Sequence, residues 1–112
     1  MAEGKDVFQF TDANFDENIN GSEQLSIVDF WATWCGPCVM LGPVIEELAK
    51  KYADEKVTVG KLNVDVNPEV TARFGIRSIP AILFFKGDEL VDTVVGAASL
   101  EVLEEKIRSH LE

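Results

Sequence analysis

Cys35 and Cys38 are the only cysteines in the chain, and two residues separate them. Two thiols at that spacing can pass between dithiol and disulfide without rearranging a fold, so the pair can carry two electrons. Cys35 closes a short apolar run, Ile27 to Trp31, and stands before a long helical pattern, Val39 to Ala53. At a helix N-terminus, free backbone N–H groups and the positive end of the macrodipole favour a thiolate, so Cys35 is the expected nucleophile. Cys38 lies three residues on, about 4.5 Å along a helix axis and on nearly the same face. It is placed to resolve a mixed disulfide from within. Cys35 is expected to be partly exposed and Cys38 shielded behind it. Structural zinc is disfavoured, because two thiols and one histidine, His110, do not supply four ligands. His110 itself reads as a solvent-facing helix residue.

Asp29 interrupts an otherwise apolar strand, Ile27-Val28-Asp29-Phe30-Trp31. A carboxylate buried there has its pKa raised by desolvation, which suits proton transfer near neutral pH. It could instead face water at the strand end. Pro37, between the thiols, has no backbone donor and a fixed φ suited to a first helical turn.

These residues need a scaffold. Val7 to Phe10 reads as a first strand, and Thr11 or Asp12 caps a short helix carrying Phe15 and Ile19. Leu25 to Trp31 is nearly continuous apolar sequence, expected of a central strand buried on both faces. Leu41, Val44, Ile45, Leu48 and Tyr52 recur at helical steps, with Pro43 inside the rod, where it should introduce a kink. Val57 to Val64 is a second central strand. Asn67 caps a short third helix that starts at Pro68 and runs to about Phe74. Ala81 to Lys86 and Glu89 to Val95 form a hairpin across Gly87-Asp88. Ser99 caps a last helix with Leu100, Leu103, Ile107 and Leu111 on one face. The order β-α-β-α-β-α-β-β-α implies an α/β fold: a mixed five-stranded sheet flanked by four helices.

At 112 residues, 46% hydrophobic and 27% charged, the chain is expected to form a single domain over 1–112. Ten basic residues against 20 acidic ones give a net charge of −10, which argues against nucleic acid and anionic membrane as partners. No apolar run is long enough for a transmembrane helix. The polar N-terminus lacks a signal core, so a cytoplasmic protein is expected, although a processed exported form would read the same. Leu111-Glu112 could be native or a scar of expression.

The run Asp29-Phe30-Trp31-Ala32-Thr33-Trp34-Cys35-Gly36-Pro37-Cys38, with Pro43, Lys61-Leu62-Asn63-Val64-Asp65, Ile76-Arg77-Ser78-Ile79-Pro80 and Gly96, resembles the thioredoxin family over essentially the whole chain. The resemblance implies a protein-disulfide reductase, a monomer with no bound cofactor or metal. Electrons would come from NADPH through a separate thioredoxin reductase and pass to disulfide-containing proteins. It gives Asp29 a role in proton transfer with Cys38, and Lys61 a modulating role beside it, though Lys61 could equally be a solvated strand-end lysine. It makes the Ile79-Pro80 bond cis and stacked on the dithiol, with the Ile79 backbone turned toward an extended substrate. Trp34, Gly36, Pro37, Ile76, Gly96 and Ala97 would complete a flat apolar substrate-binding face. Gly-Pro between the cysteines goes with a reducing protein, against an oxidase or isomerase. A redox-dependent binding module or subunit is the alternative outside catalysis. Val39 departs from the family, which usually carries a basic residue there. Its absence weakens the positive field near Cys35. Gly42 and Ser78 stand at positions that vary in the family.

Overall fold

Strand β2 (Leu25–Trp31) runs through the middle of the sheet, and its first six residues are buried. Helices must then cover both faces. In the computed structural model, which describes residues 6–19 and 24–111, the strand order is β1-β3-β2-β4-β5. The remaining strands are β1 (Phe8–Gln9), β3 (Val57–Asn63), β4 (Ala81–Lys86) and β5 (Glu89–Val95). The helices are α1 (Phe15–Ile19), α2 (Gly36–Lys51), α3 (Pro68–Arg73) and α4 (Leu100–Leu111). β3 pairs in parallel with both β1 and β2, while β2–β4 and β4–β5 are antiparallel. The expected α/β architecture, a mixed five-stranded sheet with four helices, is therefore found. No helix among the described residues is long and apolar enough to cross a membrane. The sequence expectations on residues 1–5 and on Glu112 lie outside the described residues.

Side-chain alternation along each strand divides the core into two layers. Leu25 and Ile27 of β2, Val57 and Val59 of β3, and Ile82 and Phe84 of β4 pack against Leu41, Ile45 and Leu48 of α2 and Leu103 and Ile107 of α4. Val28, Phe30, Leu62, Leu83 and Phe85 face the other way, onto Phe10, Phe15, Ile19 and Val70. Phe15, Phe74 and Phe85 meet there with ring centroids 5.2 to 5.7 Å apart, in the tilted and edge-on arrangements that aromatic quadrupoles favour. Gly60 lets the first strand approach: a Cβ there would fall against the Phe8 carbonyl and within 2.6 Å of the Phe10 ring.

The cap of α3 comes from a residue that the sequence assigned elsewhere. Thr11 does close the turn before α1, since its Oγ1 accepts from the Asn14 N–H at 3.1 Å. Asp12 does not serve that helix. Its carboxylate accepts the Glu69 and Val70 N–H groups at 3.1 and 2.9 Å, and so caps α3 from 57 and 58 residues away. Asn67 makes no side-chain cap to α3. Its Oδ1 accepts from the Asp12 N–H at 2.8 Å and its Nδ2 donates to the Asn63 carbonyl at 3.0 Å, which fixes the loop instead. Local pattern selected the right residue types, but the loop between β1 and α1 reaches the helix start first.

α4 departs from expectation in two ways. Leu111 is 40% exposed, so the apolar stripe ends at Ile107. His110 is not solvent-facing. It is half-buried, with Nε2 3.0 Å from Asp92 of β5. Glu104, on the inner side of α4, is buried and accepts from Lys51 at 3.0 Å and from the Tyr52 hydroxyl at 3.2 Å. β2, β4 and β5 keep their expected bounds, while β1, β3, α2 and α3 are shifted by one to three residues at their ends. α2 begins at Gly36, not Val39, because Gly36-Pro37 form its first turn.

Candidate active site

The C-terminal end of β2 delivers the chain to Cys35, which is the N-cap residue of α2 with extended φ and ψ of −93° and 107°. Its Sγ accepts from the backbone N–H of Cys38 at 3.2 Å. Sulfur thus occupies the place that a Ser or Asp oxygen takes at other helix starts, facing N–H groups that have no helical partner. A thiolate formed there gains the same donor and the positive end of the helix macrodipole, which stabilises the charged form. Cys35 and Cys38 are joined as a disulfide, with Cα atoms 5.2 Å apart. Ala32 is buried with them, and Trp31, Val64 and Ile79 pack against this small cluster. Cys35 is 6% exposed and Cys38 2%. The order of access is as expected, but Cys35 is buried rather than partly exposed.

Asp29 stands two residues before Trp31 on β2, on the face that packs under α2. It is 2% exposed, and its Oδ1 has no hydrogen-bond partner among the described residues. Burial pushes its pKa up from 3.8 to about 7, and the Lys61 ammonium opposes the rise without cancelling it. Cys38 is a buried residue of α2, one turn before Leu41. Lys61 is the β3 register partner of Asp29. No ion pair joins the two; the ammonium lies 4.3 Å from the centroid of the Trp31 ring.

Residues expected to bind substrate line two hollows. Trp34, Gly36, Pro37 and Ala97 line a groove of about 800 Å³, together with Thr33, Val39, Met40, Leu41, Val44 and Ala98. Trp34 is 68% exposed, and its indole N–H donates to Asp65 at 2.8 Å, which fixes the ring beside Cys35. Ile76 lines a separate hollow of about 260 Å³ with Arg77, Leu90 and Val95. The Ile79–Pro80 peptide is cis, as the resemblance implied, and the Ile79 carbonyl oxygen lies 3.8 Å from Cys35 Sγ. Pro80 is buried, and its carbonyl accepts the Gly96 N–H at 2.8 Å. Gly96 has φ of 95°, a conformation that a side chain disfavours. Sequence reasoning missed Met40 and the groove-lining role of Val39. The available signal was two apolar residues adjacent on a helix whose inward positions were already taken by Cys38 and Leu41.

The family model described as Thioredoxin matches residues 6–109. Thioredoxin 2 of Chlorobaculum tepidum is 50% identical over 104 residues, covering 93% of this chain and 94% of that protein. Thioredoxin of Alicyclobacillus acidocaldarius is 52% identical over 102 residues, covering 91% and 95%. Thioredoxin M-type, chloroplastic, of Pisum sativum is 49% identical over 100 residues, covering 89% of this chain and 58% of that protein. Members of this family need no bound cofactor, and no group of three or more His, Cys, Asp or Glu among the described residues could hold a metal. A sulfur at a helix start, joined to a second sulfur one turn inside, accords with this match: the chain belongs to the thioredoxin family and is an oxidoreductase working by dithiol–disulfide exchange at Cys35 and Cys38.

Proposed function

We propose that this chain is a monomeric protein-disulfide reductase of the cytoplasm, acting as a single domain over 1–112 and recharged from NADPH by a separate thioredoxin reductase. The observation that carries the reading is the Cys38 N–H aimed at Cys35 Sγ across 3.2 Å. In the reduced protein the Cys35 thiolate attacks one sulfur of a substrate disulfide. The substrate S–S bond breaks, a Cys35–substrate disulfide forms, and the departing substrate thiolate takes a proton. Cys38 then loses its proton and attacks Cys35 Sγ. The mixed disulfide breaks, the second substrate thiolate leaves, and the protein is left as the Cys35–Cys38 disulfide. Two electrons have passed to the substrate.

Asp29 serves as the proton acceptor for Cys38. Its pKa of about 7 lets it be ionised when the proton must leave and neutral when one must return. Lys61 modulates Asp29, since its charge favours the carboxylate. Trp34, Gly36, Pro37, Ile76, Ile79, Pro80, Gly96 and Ala97 form the surface that receives an extended substrate segment around the dithiol. Disulfide-containing proteins are the substrates, and neither nucleic acid nor membrane is a partner, in keeping with the net charge of −10.

Insulin reduction tests this directly. With NADPH and an NADPH-linked flavoprotein thioredoxin reductase, the chain should consume NADPH and precipitate the insulin B chain. Replacing both cysteines by serine should abolish both. A folded protein that the reductase reduces but that leaves insulin intact would overturn the reading in favour of a binding module.

A further inference from the structure

We propose that Val39 and Met40 build a specificity subsite for a bulky aliphatic or aromatic side chain of the substrate, in a segment that also carries lysine or arginine near its cysteine. The inference rests on the reductase reading above and names the substrate class it serves. The groove of about 800 Å³ lies between the first turns of α2 and the Ala97–Ala98 segment. Its volume is in the range of sites that enclose small ligands, so a leucine or phenylalanine side chain fits with room to spare. None of its ten lining residues is charged. Val39 is 56% exposed and Met40 78%, yet neither is needed to close the core, which takes Leu41 and Ile45 from the same helix. Unbranched methionine adapts its shape to different occupants.

Continuity with the dithiol decides the occupant. Trp34, Gly36 and Pro37 flank Cys35 in sequence and also line the groove, so a segment exchanging with Cys35 passes its mouth. Charge decides the flanks. One wall comes from a stretch, Trp31 to Ala49, that contains no lysine, arginine or histidine and whose charged residues are Glu46 and Glu47. The other belongs to Gly87 to Glu105, which also lacks a basic residue and carries Glu101 just past the groove. Asp65, held by the Trp34 indole, adds a further carboxylate. Arg77 lines the other, smaller hollow. Around an apolar slot these carboxylates attract a basic segment and repel an acidic one.

The test uses reduced full-length protein and short cysteine peptides whose thiol is capped as a disulfide with thionitrobenzoate. Attack by Cys35 releases the coloured thiolate and leaves the peptide on Cys35; Cys38 then frees the peptide thiol. Peptides carry leucine or alanine beside the cysteine, and lysine or glutamate two residues away. The leucine peptide should react about tenfold faster than the alanine peptide, the scale expected when a few methylenes are lost from an open apolar site. The lysine-flanked peptide should exceed the glutamate-flanked one about threefold at low ionic strength, and the two should converge near 0.5 M salt. In the double variant Val39→Ser, Met40→Ser the leucine preference should fall below about twofold. Equal rates for leucine and alanine peptides in the parent, or an undiminished preference in the double variant, would overturn the subsite. A dimer in sedimentation that the double variant dissolves would give the groove to a second copy of this chain. If no peptide reacts at all, the reductase reading fails first.

Discussion

Replacing Asp29 by asparagine should stabilise the fold, and by an amount that depends on pH in a defined direction. The carboxyl has a pKa of 3.8 when exposed and about 7 in the fold, where burial disfavours its charge. Below pH 3.8 it is neutral in both states and costs nothing. As pH rises toward 7 the unfolded chain releases its proton while the folded chain holds on, so stability drains away; above 7 the loss is complete. At about 1.4 kcal/mol per pKa unit, the loss reaches about 4 kcal/mol at pH 8 and is about 2 kcal/mol at pH 5. Asparagine has no charge to desolvate, so Asp29→Asn should gain about 4 kcal/mol over the parent at pH 8, about 2 at pH 5 and close to none below pH 4. Urea unfolding of both oxidised proteins from pH 4 to 8, where slope and midpoint give the free energy at each pH, measures the gap. The same variant should slow disulfide exchange near neutral pH, because Cys38 loses its proton acceptor. Parallel stability curves across this range would refute the account, since they are what a carboxylate in water would give; a paired carboxylate would give a gap of the opposite sign.

Other perturbations follow from particular contacts. Asp12→Ala should cost about 1 to 2 kcal/mol by uncapping α3 from a distant loop, measurable as an earlier urea midpoint. Gly60→Ala should cost about 1 to 3 kcal/mol, because the new methyl must displace the Phe8 backbone or the Phe10 ring. Gly96→Ala should cost about 1 to 2 kcal/mol from its φ of 95° alone, since a Cβ there meets nothing within 4 Å. Val39→Lys should lower the Cys35 pKa by well under about one unit at an exposed site in salt, read from the pH dependence of alkylation.

The hairpin from Ala81 to Val95 and the central strand from Leu25 to Trp31 were legible to the residue, because continuous apolar runs and a Gly-Asp turn are local signals. The dithiol and the buried aspartate were legible for the same reason: a polar residue in an apolar strand has few other readings. Asp12 and Asn67 were not, since either suits a helix start and only the tertiary path shows which one reaches α3. Glu104 and His110 were hidden on an amphipathic helix whose polar residues look solvated until Tyr52, Lys51 and Asp92 come within hydrogen-bond range. The groove was hidden because it arises where α2 meets the Ala97–Ala98 segment, far apart in sequence.

The most direct test of the dithiol chemistry is capture of a substrate by single-cysteine variants. Reduced Cys38→Ser should attack a disulfide peptide and stay joined to it through Cys35, because no second thiol resolves the bond. Its intact mass should rise by that of the attached peptide, and peptide mapping should place the adduct on Cys35. Reduced Cys35→Ser should trap little, with its sulfur shielded beneath the helix start. Stable capture by Cys35→Ser, or none by Cys38→Ser under conditions where the parent reduces the same peptide, would contradict the assignment of Cys35 as nucleophile and Cys38 as the resolving thiol.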